Sequence, residues 1–122
     1  MINYTGRIDK GWGYEQIFAS TYDYCGKLLC FTKANAQCSM HFHVKKDETW
    51  YVQSGLFKVE WIDTKTTITH SKLLPVGSTW RNERFQPHRL ICLEPGEIVE
   101  VSTADNMEDN YKIMPGDSQS GS

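Results

Sequence analysis

The chain has 122 residues, enough for one domain with a modest hydrophobic core and no need of disulfide support. Its net charge is −2, from 13 basic and 15 acidic residues scattered along the sequence, so no basic stripe is present to follow a nucleic-acid backbone and no nucleic-acid partner is expected. Apolar runs extend only a few residues, far short of a membrane-spanning helix, and no membrane association is expected.

The opening Met1-Ile2-Asn3-Tyr4-Thr5-Gly6 has neither the basic start nor the apolar run of an export signal, and a cytoplasmic location is expected. Cys25, Cys30, Cys38 and Cys92 match no zinc-knuckle or CxxC redox spacing. They read as four reduced thiols acting as small core hydrophobes.

Taken in chain order, the sequence is a series of short alternating segments broken by turn residues, the pattern of an all-β sandwich or barrel. Trp12 and Tyr14 read as packing residues of an N-terminal strand. Gly26 to Thr32 reads as a strand leaving a turn at Asp23 to Gly26. Cys38 to His43 alternates cleanly, with Met40 and Phe42 on one face and His41 and His43 on the other. After the polar turn Val44-Lys45-Lys46-Asp47 comes Glu48 to Gln53, rich in aromatic and β-branched residues and closed by Ser54-Gly55.

Leu56 to Ile62 alternates Phe57, Val59 and Trp61 against Lys58 and Glu60, and Asp63-Thr64-Lys65 is a hairpin tip from which Thr66 to Leu74 returns, carrying His70 as a surface residue. Pro75-Val76-Gly77 is a further turn. His88 to Leu93 and Glu97 to Thr103 are two more strands, joined at Glu94-Pro95-Gly96. Asp105 to Asn110 fits a loop or a single helical turn. One domain over residues 1–115 is expected, with a loose polar tail from 116 to 122.

His41 and His43 stand two apart on one strand, so both imidazoles leave the same side of the sheet. A short hairpin brings the Glu48 carboxylate back beside them. Two neutral nitrogens and a hard carboxylate suit zinc, manganese, iron or nickel, held at roughly 2.0–2.2 Å. The thiols are not spaced to join such a set. Either histidine alone would read as an ordinary strand residue. With Glu48 and Gly55 at fixed offsets, the pattern arises by chance on the order of once per thousand chains of this size.

The run His41-Phe42-His43, Glu48 and Gly55 resembles the first motif of the cupin superfamily, HxH-x(3,4)-E-x6-G, at every ligand position. The second motif of that family, G-x5-PxG-xx-H-xxx-N, fits Gly77 and places the fourth ligand at His88. The departures are Asn35, where a glycine normally precedes the first histidine, Glu83 and Phe85 in place of PxG, and Cys92 in place of the asparagine. The resemblance implies a single cupin, a jelly-roll, double-stranded β-barrel, holding one divalent metal ion on His41, His43, Glu48 and His88. It also implies a homodimer in which the N-terminal strand crosses to a second subunit.

A narrower likeness is carried by Gly11-Trp12-Gly13-Tyr14-Glu15, Gly26-Lys27-Leu28-Leu29, Thr49 to Gly55, Pro87-His88-Arg89-Leu90 and Glu100 to Thr103. These segments are similar to the C-terminal cupin domain of type II mannose-6-phosphate isomerases, which typically have glutamine where this chain has His41. That likeness implies aldose–ketose isomerisation of a sugar or sugar phosphate. Glu60, Lys58 and Glu83 are then candidates for the base, and Arg81, Arg84 and Arg89 for a phosphate clamp. An iron(II) dioxygenase with oxygen and substrate on open positions, and a carbohydrate-binding module without turnover, are the alternatives. Trp50 shares the parity of Glu48 and is expected on the cavity wall, as is Val52. Tyr51, Trp80 and Arg89 are further candidates for a pocket that takes a small molecule such as a carbohydrate.

Overall fold

The computed structural model describes residues 5–106 and 108–118. Eleven strands run through them: β1 (Gly6–Lys10), β2 (Gly13–Ser20), β3 (Tyr24–Phe31), β4 (Met40–Phe42), β5 (Glu48–Val52), β6 (Leu56–Ile62), β7 (Thr69–Leu74), β8 (Thr79–Asn82), β9 (His88–Glu94), β10 (Gly96–Thr103) and β11 (Tyr111–Met114). They form a six-stranded sheet, β1-β2-β3-β10-β5-β8, and a five-stranded sheet, β11-β4-β9-β6-β7. All pairings are antiparallel. Among the described residues no helix is long and apolar enough to cross a membrane.

The all-β expectation and the cupin barrel are what the chain forms. Strand β6 coincides with the alternating segment from Leu56 to Ile62. Strand β4 is shorter than the alternation of Cys38 to His43, because it pairs with β9 only at His41 and His88, and its ladder with β11 is bulged. Strands β8 and β11 were not legible. β11 is exposed at all four positions, so it carries no burial period to read. Asp105 to Asn110 is irregular loop and turn at the described positions.

Each inward row of side chains grades from polar at one end of the barrel to apolar at the other. On β3 the row runs Lys27, Leu29, Phe31; on β5, Glu48, Trp50, Val52; on β9, His88, Leu90, Cys92; on β10, Glu100 then Ile98. Cross-strand register aligns the gradients: Glu100 stands opposite both Lys27 and Trp50, and Ile98 opposite both Leu29 and Val52. The apolar end is the core, where Trp12 stacks on Phe31 at 4.2 Å and Phe31 meets Phe57 edge-on at 5.2 Å. This core fixes the sheets, and the polar end is left to hold the site.

Two departures from the family motif keep its turns. Asn35 adopts φ 65°, the left-handed conformation that asparagine tolerates better than most residues. Phe85 sits at φ 68° where glycine would be at ease, and its N–H donates to the His43 carbonyl at 2.7 Å. Gly55, at φ 83°, is held where a Cβ would fall 2.7 Å from the Glu94 carbonyl oxygen, so only glycine fits. The four cysteines are free thiols. The segment expected as a loose tail, 116 to 122, is described as far as Ser118. Asp117 accepts from the Gln37 N–H at 2.9 Å and Ser118 from the Gly11 N–H at 3.1 Å, while residues 119–122 lie outside the described residues.

Candidate metal centre

At the polar end, β4 supplies His41, the turn after it His43, β5 Glu48 and β9 His88. The ligand atoms of these four all lie within 4.8 Å of one another. Strand pairing sets most of this: His41 faces His88 across the β4·β9 ladder, with ring centroids 4.6 Å apart. Glu48 Oε1 lies 3.3 Å from Nε2 of His43 and 3.3 Å from Nε2 of His88.

The tautomers follow from the other ring nitrogens. His41 Nδ1 donates to the Ser39 carbonyl at 2.8 Å, His88 Nδ1 to the Gln86 carbonyl at 2.9 Å, and His43 Nδ1 to the Asp109 carbonyl. A carbonyl only accepts, so in the neutral rings each Nδ1 carries the proton and each Nε2 presents a lone pair inward. Buried His88 Nε2 and Glu48 Oε1 have no hydrogen-bond partner among the described residues. Acceptors converging without a hydrogen between them need a cation. Separations near 3.3 Å suit two neighbouring ligands at roughly 2.2 Å from one ion. The residues present therefore fit a divalent metal.

Electrostatics around the cage are those of buried charges in a shared network. Burial, with the nearby His88, depresses His41 to about 3, so this imidazole is neutral at physiological pH. For His43, burial opposes charge, but the adjacent Glu48 carboxylate outweighs it and the pKa is raised. Burial would raise Glu48 too. The Lys46 ammonium, with the Glu100 carboxyl and the imidazoles of His43 and His88 beside it, holds it well below the usual carboxylate range. Trp50 Nε1 donates to Glu48 Oε2 at 3.0 Å and to Glu100 Oε1 at 3.1 Å, tying the ligand carboxylate to its neighbour. Burial and the adjacent Glu48 raise Glu100 to about 7.

Beyond Glu100 the network continues through Lys46, 3.1 Å from Glu100 and 3.6 Å from Asp105, and Lys27, 2.7 Å from Asp105 and 3.7 Å from Glu15. The cage opens on a cavity of about 280 Å³. Its wall includes Trp12, Trp50, Lys46, Glu100 and Asn110 besides His41, His43 and Glu48.

Of the five residues expected on that wall, Trp50 is there and four are not. Val52 has the right parity but lies one step deeper, in the apolar layer, at 1% exposure. Tyr51 has the opposite parity and is 43% exposed on the outer face. Trp80 packs on Trp61 at 4.6 Å and donates to Asn82 Oδ1 at 2.8 Å. Arg89 points outward beside His88 and holds Gln37 Oε1 and the Pro115 carbonyl. Glu60, Lys58 and Glu83 are not on the wall, nor are Arg81 and Arg84, which pair with Asp47 at the exposed end of β8.

Sequence reasoning missed Lys27, Lys46, Glu100, Asp105 and Asp109. Two carried a signal: Lys27 and Glu100 are charges at inward parity between apolar residues of a strand, a pattern that marks a buried ionic site. Lys46 reads as a solvated turn residue and is instead 5% exposed. Asp109, 66 residues from His43, could not be assigned without the fold.

No protein-family profile and no curated protein sequence matches the chain. Its fold matches solved structures. KdgF from Halomonas sp. superimposes with a TM-score of 0.72 at 22% identity, over 88% of this chain and 94% of that one. Oxalate decarboxylase from Bacillus subtilis gives 0.76 at 20% identity over 91% of this chain, and that of Lactobacillus farciminis 0.74 at 20% over 91%. This chain covers 30% and 34% of those two proteins, about a third of their length. The Bacillus enzyme carries Mn(II) centres. These neighbours have the cupin fold, and the likeness shows that fold for this chain: a cupin-type β-barrel, with three histidines and one glutamate converging at the polar end of its core.

Proposed function

We propose that this cupin is a metal-dependent enzyme that interconverts an aldose and a ketose, or their acidic derivatives, by moving a proton between neighbouring carbons inside the barrel. The observation that carries the reading is the convergence of His88 Nε2 and Glu48 Oε1, buried and without a protein hydrogen, at one end of an open cavity. His41, His43, Glu48 and His88 would hold one divalent ion. A bound ion would act as a Lewis acid on the carbonyl and hydroxyl oxygens of a sugar.

The remaining work falls to the chain. Trp50 and Lys46 hold the Glu100 carboxyl on the cavity wall beside the cage, where its oxygens can take up and return a proton. Trp12, stacked on Phe31, closes the apolar side and excludes water there. A volume of about 280 Å³ is near the low end of small-molecule sites, which suits a single sugar unit. The sequence likeness to the cupin domain of mannose-6-phosphate isomerases supports the same reaction class.

The test begins with elemental analysis of wild type, His41→Ala and His88→Ala purified without chelator or affinity metal. Solvent deuterium incorporation into hexoses and hexose phosphates is then followed by NMR. About one metal per wild-type chain, with metal and exchange both lost in the variants, is the expected outcome. A wild-type protein that cannot be loaded refutes the reading. An iron-loaded protein that consumes oxygen without proton exchange replaces it with a dioxygenase, and a loaded protein that binds sugar without turnover replaces it with a binding module.

A further inference from the structure

We infer that the ligand is an anion, and that the cavity mouth binds its carboxylate or phosphate between Lys10 and Lys112; this deepens the proposed function and rests on it for the ligand's sugar part. Four lysines line the cavity, and they are of two kinds. Lys27 and Lys46 are buried and spent on Glu15, Glu100 and Asp105. The ammonium groups of Lys10 and Lys112 have neither an ion pair nor a hydrogen bond among the described residues, although both residues line the same space.

The fold aims Lys112 at the site. It stands directly opposite His41 in the β4·β11 ladder, and cross-strand partners project from the same face of a sheet. Its stem therefore runs beside a ligand imidazole while its ammonium reaches the mouth, where the residue is exposed. Lys10 closes the opposite wall, half-buried at the end of β1, two residues from Trp12 and two from Ile8, which also line the cavity.

Charge balance points the same way. The wall carries Lys10, Lys27, Lys46 and Lys112 against an equal number of carboxyl groups, Glu15, Glu48, Glu100 and Asp105, so the side chains supply no net negative charge. A divalent ion in the cage leaves the cavity with a surplus of at least two positive charges. A monoanionic or dianionic ligand neutralises it, and a neutral sugar does not. On the same wall, Asn110 Oδ1 is buried with no donor among the described residues, an acceptor placed for a ligand hydroxyl. Metal-facing oxygens, a hydroxyl and a terminal anion together describe a small sugar acid or sugar phosphate.

The experiment is calorimetric titration of the full chain with D-gluconate, D-glucose 6-phosphate and neutral D-glucitol. It uses wild type, Lys10→Met, Lys112→Met and Lys112→Arg, with metal content measured on each. At least one anion is expected to bind about tenfold or more tightly than glucitol. Each methionine variant is expected to lower anion affinity by roughly tenfold, the loss of one charge-assisted contact. Glucitol affinity and metal content should not change, and Lys112→Arg should retain most of the binding. Which anion wins separates a carboxylate from a phosphate ligand.

Equal affinity for all three compounds overturns the inference. So does an equal loss for all three in the methionine variants, or no binding of either anion in the millimolar range. If wild type holds no metal yet shows lysine-dependent preference for anions, the subsite stands and the proposed enzyme falls. If metal and proton exchange are present without that preference, the enzyme stands and the subsite falls.

Discussion

Asp109 is expected to govern both the stability of the barrel and its grip on metal. Its carboxylate accepts from the backbone N–H groups of Val44 at 2.8 Å, Lys45 at 3.0 Å and Lys46 at 2.9 Å. Its carbonyl takes the Nδ1 proton of His43. The turn it clamps is the one that sets His43 against Glu48. Replacing Asp109 with alanine removes three charge-assisted bonds. In Val44 and Lys45, which are not buried, the freed N–H groups can turn to water; Lys46 is buried and its N–H is left without a partner. Counting the buried bond at about 2 kcal/mol and the other two at about 0.5 each gives a loss of about 3 kcal/mol. A loosened turn should weaken metal affinity about 10- to 100-fold, the usual cost of disturbing a ligand's hydrogen-bond partner. Asp109→Asn keeps one acceptor oxygen and should fall between wild type and alanine.

Urea unfolding of metal-free protein reads the first effect, and competition with a chromophoric chelator the second. An alanine variant within about 0.5 kcal/mol of wild type would refute the clamp. Normal metal affinity in a destabilised variant would refute the positioning of His43 and Glu48.

Phe85→Gly should stabilise the protein by about 0.5–1 kcal/mol, as relief of a left-handed phenylalanine exceeds the entropy glycine adds to the unfolded chain; a lowered melting temperature would contradict this. Lys46→Met should cost about 3–5 kcal/mol by leaving Glu100 and Asp105 short of a buried cation, and adding Glu100→Gln should recover part of the loss in urea titrations. Acid should act through Asp109 in a defined direction. Burial alone would raise this carboxyl, but the three N–H groups hold it below the ordinary value. Its contribution is thus present above the unfolded pKa of about 3.9 and lost as pH falls through the lower folded value. The acid limb of stability against pH should be shallower in Asp109→Ala, and identical limbs would count against the bond set.

The alternation of Leu56 to Ile62 and the parity of His41, His43 and Glu48 were legible because side chains on a strand switch faces at every residue, a property local to the chain. The same rule put Trp50 on the inner face and Arg89, next to His88, on the outer one, so Arg89 could have been set aside from sequence alone. What period-two alternation does not encode is depth. Val52 and Glu48 share a face, yet one lies in the apolar layer and the other in the cage, because cross-strand register, not sequence, sets Ile98 beside the first and Ser102 beside the second. Nor does alternation say which distant groups meet. Lys46 is buried because Glu100 and Asp105 arrive from β10 and the loop after it, and His43 is oriented by a carbonyl 66 residues away. The ligands were written in the sequence because a metal demands particular atoms at short spacings. Their supports were decided only by the order in which the strands close the two sheets, since buried charges pair with whatever opposite charge the folded topology brings within a few ångströms.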